Sequence, residues 1–336
     1  MKVSELGEFG LIDRLAEMVN STRDEPGSNL IIGIGDDAAA WQSATSVQLA
    51  TVDSLVQNVH FSLQTATWEE VGWKSLAVNL SDIAAMGGQP EYALVALGLP
   101  GNTDVEDVTS LYQGMISLAG EFQVRIIGGN IVNAPQLVIN VTVLGSAAGR
   151  DSLLTRSAAR PGEKVAVTGP LGAAAAGVEM LGRGLRFEPE VAATLRKALL
   201  RPLPRVSEGR LLVENGIRAA IDISDGLVAD LQHVCQASGV GARIEADLVP
   251  VAPTVESSFG KRALELALTG GEDYELLFTA SAECIEKVSK AASCPIYVIG
   301  EVVVDGEHRV QVVDRQGSPV SLSKKGWDHY GVERGA

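Results

Sequence analysis

The acidic residues of this chain stand at the ends of apolar runs, beside glycines, with no basic residue inside the same short stretch. Five places show it: Gly33-Ile-Gly-Asp36-Asp37, Thr51-Val52-Asp53, Asn79-Leu-Ser-Asp82, Asp222-Ile-Ser224-Asp225-Gly226 and Gly270-Gly-Glu272-Asp273. Carboxylates converging at ~5 Å repel one another by ~3 kcal/mol per pair at an effective dielectric of ~20. Such a cluster persists only if protons or cations neutralise it. A fold that gathers these stretches is therefore expected to surround a metal-rich site.

With 336 residues the chain exceeds one ordinary core, and two domains are expected. Hydrophobic residues at 46% and charged residues at 21% mark a globular protein. A net charge of −15 argues against nucleic acid or an anionic membrane as partner, since no basic patch offsets the repulsion. Small anionic substrates fit if metals bridge them to the protein. Cys235, Cys284 and Cys294 form no C-x-x-C pair, which suits a reducing cytoplasm and disfavours thiolate zinc. Residues 1–10 are polar and do not read as a signal peptide. No run approaches ~20 apolar residues, so none is expected to span a bilayer.

Strand-like and helix-like segments alternate. Runs at 30–34, 47–52, 92–99, 124–127 and 137–144 read as strands, as do 164–167, 219–223, 242–245, 274–279 and 296–299. Thr67 with Glu70 forms a capping-box pattern before a helix ending at Gly87-Gly88, and Thr103 with Glu106 repeats the device before a helix to about Phe122. Helical segments are expected around 171–182, 190–199, 206–215, 226–238 and 281–292. The small and polar stretch 147–162 reads as the seam, which divides the chain into 1–148 and 149–336, each an α+β unit.

Gly33-x-Gly35-x-x-Ala38 follows a strand, like a dinucleotide-binding turn, but Asp36 and Asp37 occupy the place where bare N–H groups would meet a pyrophosphate. A dianion carried by Mg²⁺ would be accepted there, and no P-loop pattern exists elsewhere. On the helix near 68–86, Ser75, Asn79 and Asp82 share one stripe, and a carboxylate on a largely apolar helix calls for a partner, a metal or a local cap. Ser224 or Asp225 could equally cap the helix that follows. Glu272 and Asp273 could form a solvated turn, and His60 could be simply packed or exposed. Arg156 is a candidate phosphate clamp. Trp327 could cover a cationic ligand or pack the carboxyl-terminal segment.

Taken in order, Gly-Glu-Phe-Gly-Leu-Ile at 7–12, Gly-Ile-Gly-Asp-Asp-Ala, Ala-Val-Asn-Leu-Ser-Asp-Ile-Ala-Ala-Met-Gly, Ile-Asp-Ile-Ser-Asp-Gly-Leu, Gly-Gly-Glu-Asp-Tyr-Glu-Leu and Lys-Gly-Trp-Asp-His-Tyr resemble the thiamine-monophosphate kinases. These belong to a superfamily with aminoimidazole ribonucleotide synthetase and selenophosphate synthetase. The resemblance covers nearly the whole chain. It implies a two-domain α/β fold of that superfamily, a homodimer with paired amino-terminal sheets, and transfer of the ATP γ-phosphate to thiamine monophosphate with several Mg²⁺ ions. By position it implies Asp37, Thr51, Val52 (through its carbonyl), Asp53, Asp82, Asn130, Asp222 and Asp225 as metal ligands. Tyr112, Gly129, Asn130, Arg156 and Ser224 would contact ATP, while His60, Glu272 and Trp327 would face thiamine monophosphate. No covalent nucleophile is implied.

One departure concerns Gly128-Gly129-Asn130-Ile131, where the family has Asp and Thr after the glycines, and the arginine that usually follows is absent. Weaker binding of one metal or altered ATP affinity is the expected consequence. Two rivals remain at this level: another ATP-using enzyme of the superfamily, or a weakened nucleotide or thiamine-phosphate binding protein. Cys235 as the first cysteine and the Glu-Arg-Gly-Ala ending weigh against the selenophosphate and hydrogenase-maturation members.

Overall fold

A computed structural model describes residues 29–324 together with Gly10, Ile12, Asp13, Gly326 and Trp327. The amino-terminal reading of residues 1–9 and the terminal Asp-His-Tyr motif lie outside the described residues.

Branched residues alternate with polar ones in the first half of the chain and build one six-stranded sheet. Its strands are β1 (Leu30–Ile32), β2 (Ala39–Gln42), β3 (Val47–Val56), β4 (Gln89–Leu99), β5 (Arg125–Asn133) and β6 (Val138–Ala147), in the order β1-β2-β3-β6-β4-β5. The pairings are antiparallel except β4 with β5. Helices α1 (Trp68–Ala85) and α2 (Val105–Phe122) cover one face, burying Leu49, Val95 and Val141 against Leu76, Leu80 and Met115. The other face leaves Val52, Tyr92 and Leu94 exposed.

The second sheet runs β12-β9-β11-β7-β10-β8, from β7 (Lys164–Thr168), β8 (Ala219–Asp222), β9 (Gly241–Glu245), β10 (Leu276–Ala280), β11 (Ile296–Val303) and β12 (Val310–Val313). Helices α3 (Ala173–Arg183), α4 (Pro189–Leu200), α5 (Val206–Glu214), α6 (Leu227–Ser238), α7 (Pro253–Phe259), α8 (Ala263–Thr269) and α9 (Ala282–Ala291) accompany it. On one face Val165, Val167 and Ile221 meet α6, and on the other Ala166, Ala220 and Phe278 meet α5 and α9. Buried on both faces, β7 and β10 read as continuous apolar runs.

Helix α1 joins the two halves. Its capping box forms: Thr67 Oγ1 accepts from Glu70 N at 3.2 Å, and Glu70 Oε2 accepts from Thr67 N at 2.8 Å. The helix is buried around nearly its whole circumference because Ala84 and Ala85 also enter the core beneath the second sheet. The second capping box does not form. Thr103 donates its N–H to Pro100 O within the preceding turn, Asp104 takes the cap position, and no side chain caps α2.

Helices α1 and α2 meet through glycines. A Cβ on Gly72 would lie 1.8 Å from Leu111 O, and one on Gly114 would lie 1.9 Å from Glu69 O. Backbone cannot yield there as a flexible side chain would, so Gly72→Ala is expected to destabilise the protein by about 3 kcal/mol. Thermal or urea unfolding of the variant checks this.

Candidate functional site

Three carboxylates converge at the junction of the two sheets. Asp37 follows β1, Asp82 lies in the last turn of α1, and Asp222 ends β8; one oxygen from each lies within 4.8 Å of the others. Asp37 and Asp222 are buried, while Asp82 is partly open to the cleft. Ser81 Oγ donates to Asp222 Oδ2 at 2.6 Å, and Thr51 Oγ1 donates to Asp82 Oδ2 at 2.6 Å. Adjacent residues of α1 thus tie Thr51 of the first sheet and Asp222 of the second sheet to one helix.

Burial is the leading cause that raises each of these carboxyls. Asp222 is pushed up to about 8, with Asp37 adding to the rise and the Ser81 hydrogen bond opposing it. Asp82 goes well above the ordinary range, with Asp53, Asp222 and Asp37 as further contributors. Asp37 also rises, opposed by Arg156, and its neighbour Asp36 reaches about 7 through burial and the charge of Asp37. Arg156 is the local counterion: its Nη2 lies 2.5 Å from Asp37 Oδ1, and its backbone N–H donates to Asp36 Oδ2 at 3.2 Å. Among the described residues Asp37 Oδ2 remains buried with no hydrogen-bond partner. An all-oxygen set with an unsatisfied buried carboxylate oxygen fits a hard divalent cation such as Mg²⁺.

The cluster opens into a cleft of 1520 Å³. Its walls include Asp37, Thr51, Val52, Asp53, His60, Asp82, Arg156, Asp222, Ser224, Asp225, Glu272 and Trp327, so most of the residues singled out in the sequence meet here. Asp53, opposite Val141 in the β3–β6 register, donates its N–H to Asn79 Oδ1 at 3.0 Å. Asn79 and Ser75 are fully buried; Asn79 Nδ2 donates to Ser75 O and Ser75 Oγ to Gly72 O. The stripe expected to accompany Asp82 therefore braces the helix, and the residues that face the cleft with Asp82 are Lys74 and Val78. His60 Nδ1 accepts from Val56 N at 3.0 Å, which makes that nitrogen the acceptor of the ring.

Tyr112, Gly129 and Asn130 stand elsewhere. In register, Asp53 pairs with Val141, Val141 with Val95 and Val95 with Gly129. Three strand spacings separate the ends of that row, about 14 Å. Asn130 lies exposed on the edge strand β5, and Tyr112 lines a separate apolar hollow with Leu99, Val108 and Ile131. The Gly33–Asp37 turn leads into strand β2, and no helix start follows it, consistent with the electrostatic argument against a dinucleotide turn.

The 270–275 loop is not a solvated turn. Glu272 N donates to Ser224 O, Tyr274 N to Ile223 O and Ile223 N to Glu275 O, lacing this loop to the end of β8. Only glycine fits at 271, where a Cβ would meet Ser224 O at 2.2 Å. Asp273 turns away from the cleft and accepts from Gly172 N and Ala174 N at the start of α3. Trp327 N donates to Asp225 O, while the indole side stays half exposed over the cleft.

Sequence reasoning missed two residues. Asp230 is buried and accepts from three successive N–H groups, Ser224, Asp225 and Gly226, at 3.0–3.1 Å, which shapes the Asp225 loop. The signal was an acid in the first turn of a helix after a glycine. Lys74 is buried in α1, and its Nζ lies 2.7 Å from Glu272 Oε1. A charge amid Trp73, Leu76 and Ala77 was the same signal that exposed Asp82.

The sheet orders and the acidic cleft between them define a two-domain protein of the AIR synthase related type. The model of the AIR synthase related protein N-terminal domain matches residues 35–147, and that of the C-terminal domain matches residues 160–313. The thiamine-monophosphate kinase of Bacillus subtilis (strain 168) is 37% identical, covering 90% of this chain and 94% of its own. That of Escherichia coli (strain K12) is 37% identical, covering 96% and 98%. The solved structure of AaThiL complexed with AMPPCP and TMP superposes with a TM-score of 0.85 at 34% identity, covering 98% and 99%. The chain belongs to the thiamine-monophosphate kinase family, and so to a family of kinases. Among the described residues no helix is long and apolar enough to cross a membrane.

The raised carboxyls set the pH behaviour. Asp222 binds its proton more tightly folded, at about 8, than at its ordinary 3.8. Its contribution to stability is therefore complete below pH 4 and is lost as pH rises through 8 in metal-free protein. A divalent cation favours the ionised acids, so Mg²⁺ is expected to raise the melting temperature by on the order of 5 °C at pH 8 when present at about 100 times its Kd. The gain at pH 6 should be smaller, and differential scanning fluorimetry at the two pH values with and without Mg²⁺ measures both.

Proposed function

We propose that this protein transfers the γ-phosphate of ATP to thiamine monophosphate, giving thiamine diphosphate, by direct in-line displacement aided by several Mg²⁺ ions. The observation that carries this reading is the meeting of Asp37, Asp82 and Asp222 within 4.8 Å in a cleft that Glu272 and Trp327 also line. Carboxylates suited to metal and groups suited to a cationic ring therefore share one space. Its relatives from Bacillus subtilis and Escherichia coli are named for the same acceptor.

The acceptor is already a phosphate, ionised at neutral pH, so a strong general base is not needed. The work left to the protein is to bring two anions together and to neutralise charge developing on the transferred group. Bound Mg²⁺ would supply that neutralisation. Asp37, Asp82 and Asp222 would hold it with Asp53 and Asp225 beside them, while Ser81 and Thr51 keep Asp222 and Asp82 aimed inward. Arg156, already paired with Asp37, would balance the negative wall, and Ser224 would meet ATP. Glu272 and Trp327, with His60, would face the thiazolium side of the acceptor.

A homodimer belongs to this proposal. The outer face of the first sheet exposes Val52 and Leu94, and its edge strand exposes Ile127, Ile131 and Val132. Such a face favours pairing with a second copy. Asn130 and Tyr112, distant from the acids of their own chain, would serve a nucleotide only in that assembly. A reducing cytoplasm remains the proposed compartment.

Purified protein given ATP, Mg²⁺ and thiamine monophosphate is expected to form thiamine diphosphate, seen by ³¹P NMR and mass spectrometry. Asp82→Asn should lower kcat by about 10²–10³, the scale for loss of one electrostatic element of a site. Product formation at the wild-type rate by this variant, or none by the wild type, would refute the proposal. Asn130→Asp restores a charge at β5 and should tighten apparent Mg²⁺ or ATP affinity, read as a lower KM for the Mg²⁺–ATP complex.

A further inference from the structure

The residues that lead the chain from β8 into α6 have every backbone N–H and C=O engaged within the protein. Ser224 N and Asp225 N at 3.1 Å, and Gly226 N at 3.0 Å, all donate to one oxygen, Oδ2 of Asp230. On the carbonyl side, Ser224 O accepts from Glu272 N at 2.8 Å, Asp225 O from Trp327 N at 2.9 Å and Gly226 O from Asp230 N at 3.0 Å. Gly226 has φ 122°, and a Cβ there would lie 2.9 Å from Thr269 C, so this path of the chain needs glycine. What the loop leaves for the cleft is the side chains of Ser224 and Asp225, both in its wall. Asp230 is 1% exposed, and the charges of Asp225 and Asp222 repel it. A carboxylate buried in that setting is costly unless hydrogen bonds offset the loss of water. A concavity of successive backbone N–H groups ordinarily takes a phosphate. Here an internal carboxylate fills it, so a nucleotide phosphate meets this loop only through its side chains or an ion they hold.

We propose that Asp230 is a positioning residue that sets the Ser224–Asp225 loop in its working shape before any ion or nucleotide arrives. Its three hydrogen bonds fix the backbone from which the Asp225 carboxylate and the Ser224 hydroxyl project, so neither has to be ordered at the moment of binding. The same carboxylate steadies the acceptor side, because Glu272 and Trp327 are each tied by an N–H group to a carbonyl of that loop. One buried acid thereby keeps the groups for metal, nucleotide and acceptor in a fixed relation without touching any of the three ligands. No proton or bond changes hands. This inference rests on Asp225 and Ser224 serving Mg²⁺ and ATP as proposed above.

Amide hydrogen exchange of the full chain, with calorimetric titration by a non-hydrolysable ATP analogue in Mg²⁺, tests it. In metal-free wild type the amides of 224–226 are expected to exchange at least about 100-fold more slowly than those of an unstructured peptide. Less protection, restored only when Mg²⁺ is added, would show that the ion orders the loop and would overturn the proposal even if no variant folds. Asp230→Asn keeps the size of the side chain and removes its charge. It should speed exchange at 224–226 at least 5-fold and weaken binding of the Mg²⁺–nucleotide complex at least 5-fold. A smaller change in either overturns the proposal. Faster exchange with unaltered affinity would make Asp230 a support of α6 alone, and lost affinity with unaltered exchange would make it a charge felt at a distance. Nucleotide binding by a wild type that forms no thiamine diphosphate would count instead against the kinase reading.

Discussion

Mutual repulsion among Asp37, Asp82 and Asp222 is the constraint around which this structure is arranged. Three carboxylates from separate elements are held within reach of one ion, largely out of water, with Arg156 as the cation beside them. Left ionised and unaccompanied, they would push the two sheets apart; protonated or cation-bound, they draw the same elements together. The junction between the domains and the candidate site are for that reason one feature.

Helix α1 makes the arrangement mechanically sound. Its start is locked by the Thr67–Glu70 capping box, and Glu70 is gripped further by Arg196. Its middle is braced through Asn79 to the backbone of Asp53, and its end offers Ser81 to Asp222 and Asp82 to the cleft. One rigid rod thereby fixes residues from both sheets, which is what precise placement of two anions demands. The loops of the second domain are stiffened differently, through Asp230 on the Asp225 turn and through backbone bonds between 223–224 and 272–275.

Much of this was legible from residue order. The acid-after-apolar-run pattern pointed to a converged site, and twelve of the residues it and the family resemblance singled out line one cleft. What escaped had physical reasons. Strand β2, Ala39–Gln42, has poor intrinsic strand preference and exists through pairing with β3; α7 and α8 are too short to show a helical period. Thr103 carries the letters of a capping box, but its N–H is taken by the turn at Pro100. Asn79 and Asp82 share a helix stripe, yet burial of the first makes it a brace. Tyr112, Gly129 and Asn130 could not be separated from the acids by motif alone, because strand order, not sequence order, sets the distance between β3 and β5.

Direct sight of the ions decides the matter. Crystals soaked in Mn²⁺ as a Mg²⁺ surrogate and measured at the manganese absorption edge should give an anomalous peak bounded by Asp37, Asp82 and Asp222. A peak elsewhere, with this acidic junction empty at saturating Mn²⁺, would contradict the claim that divalent cations neutralise it.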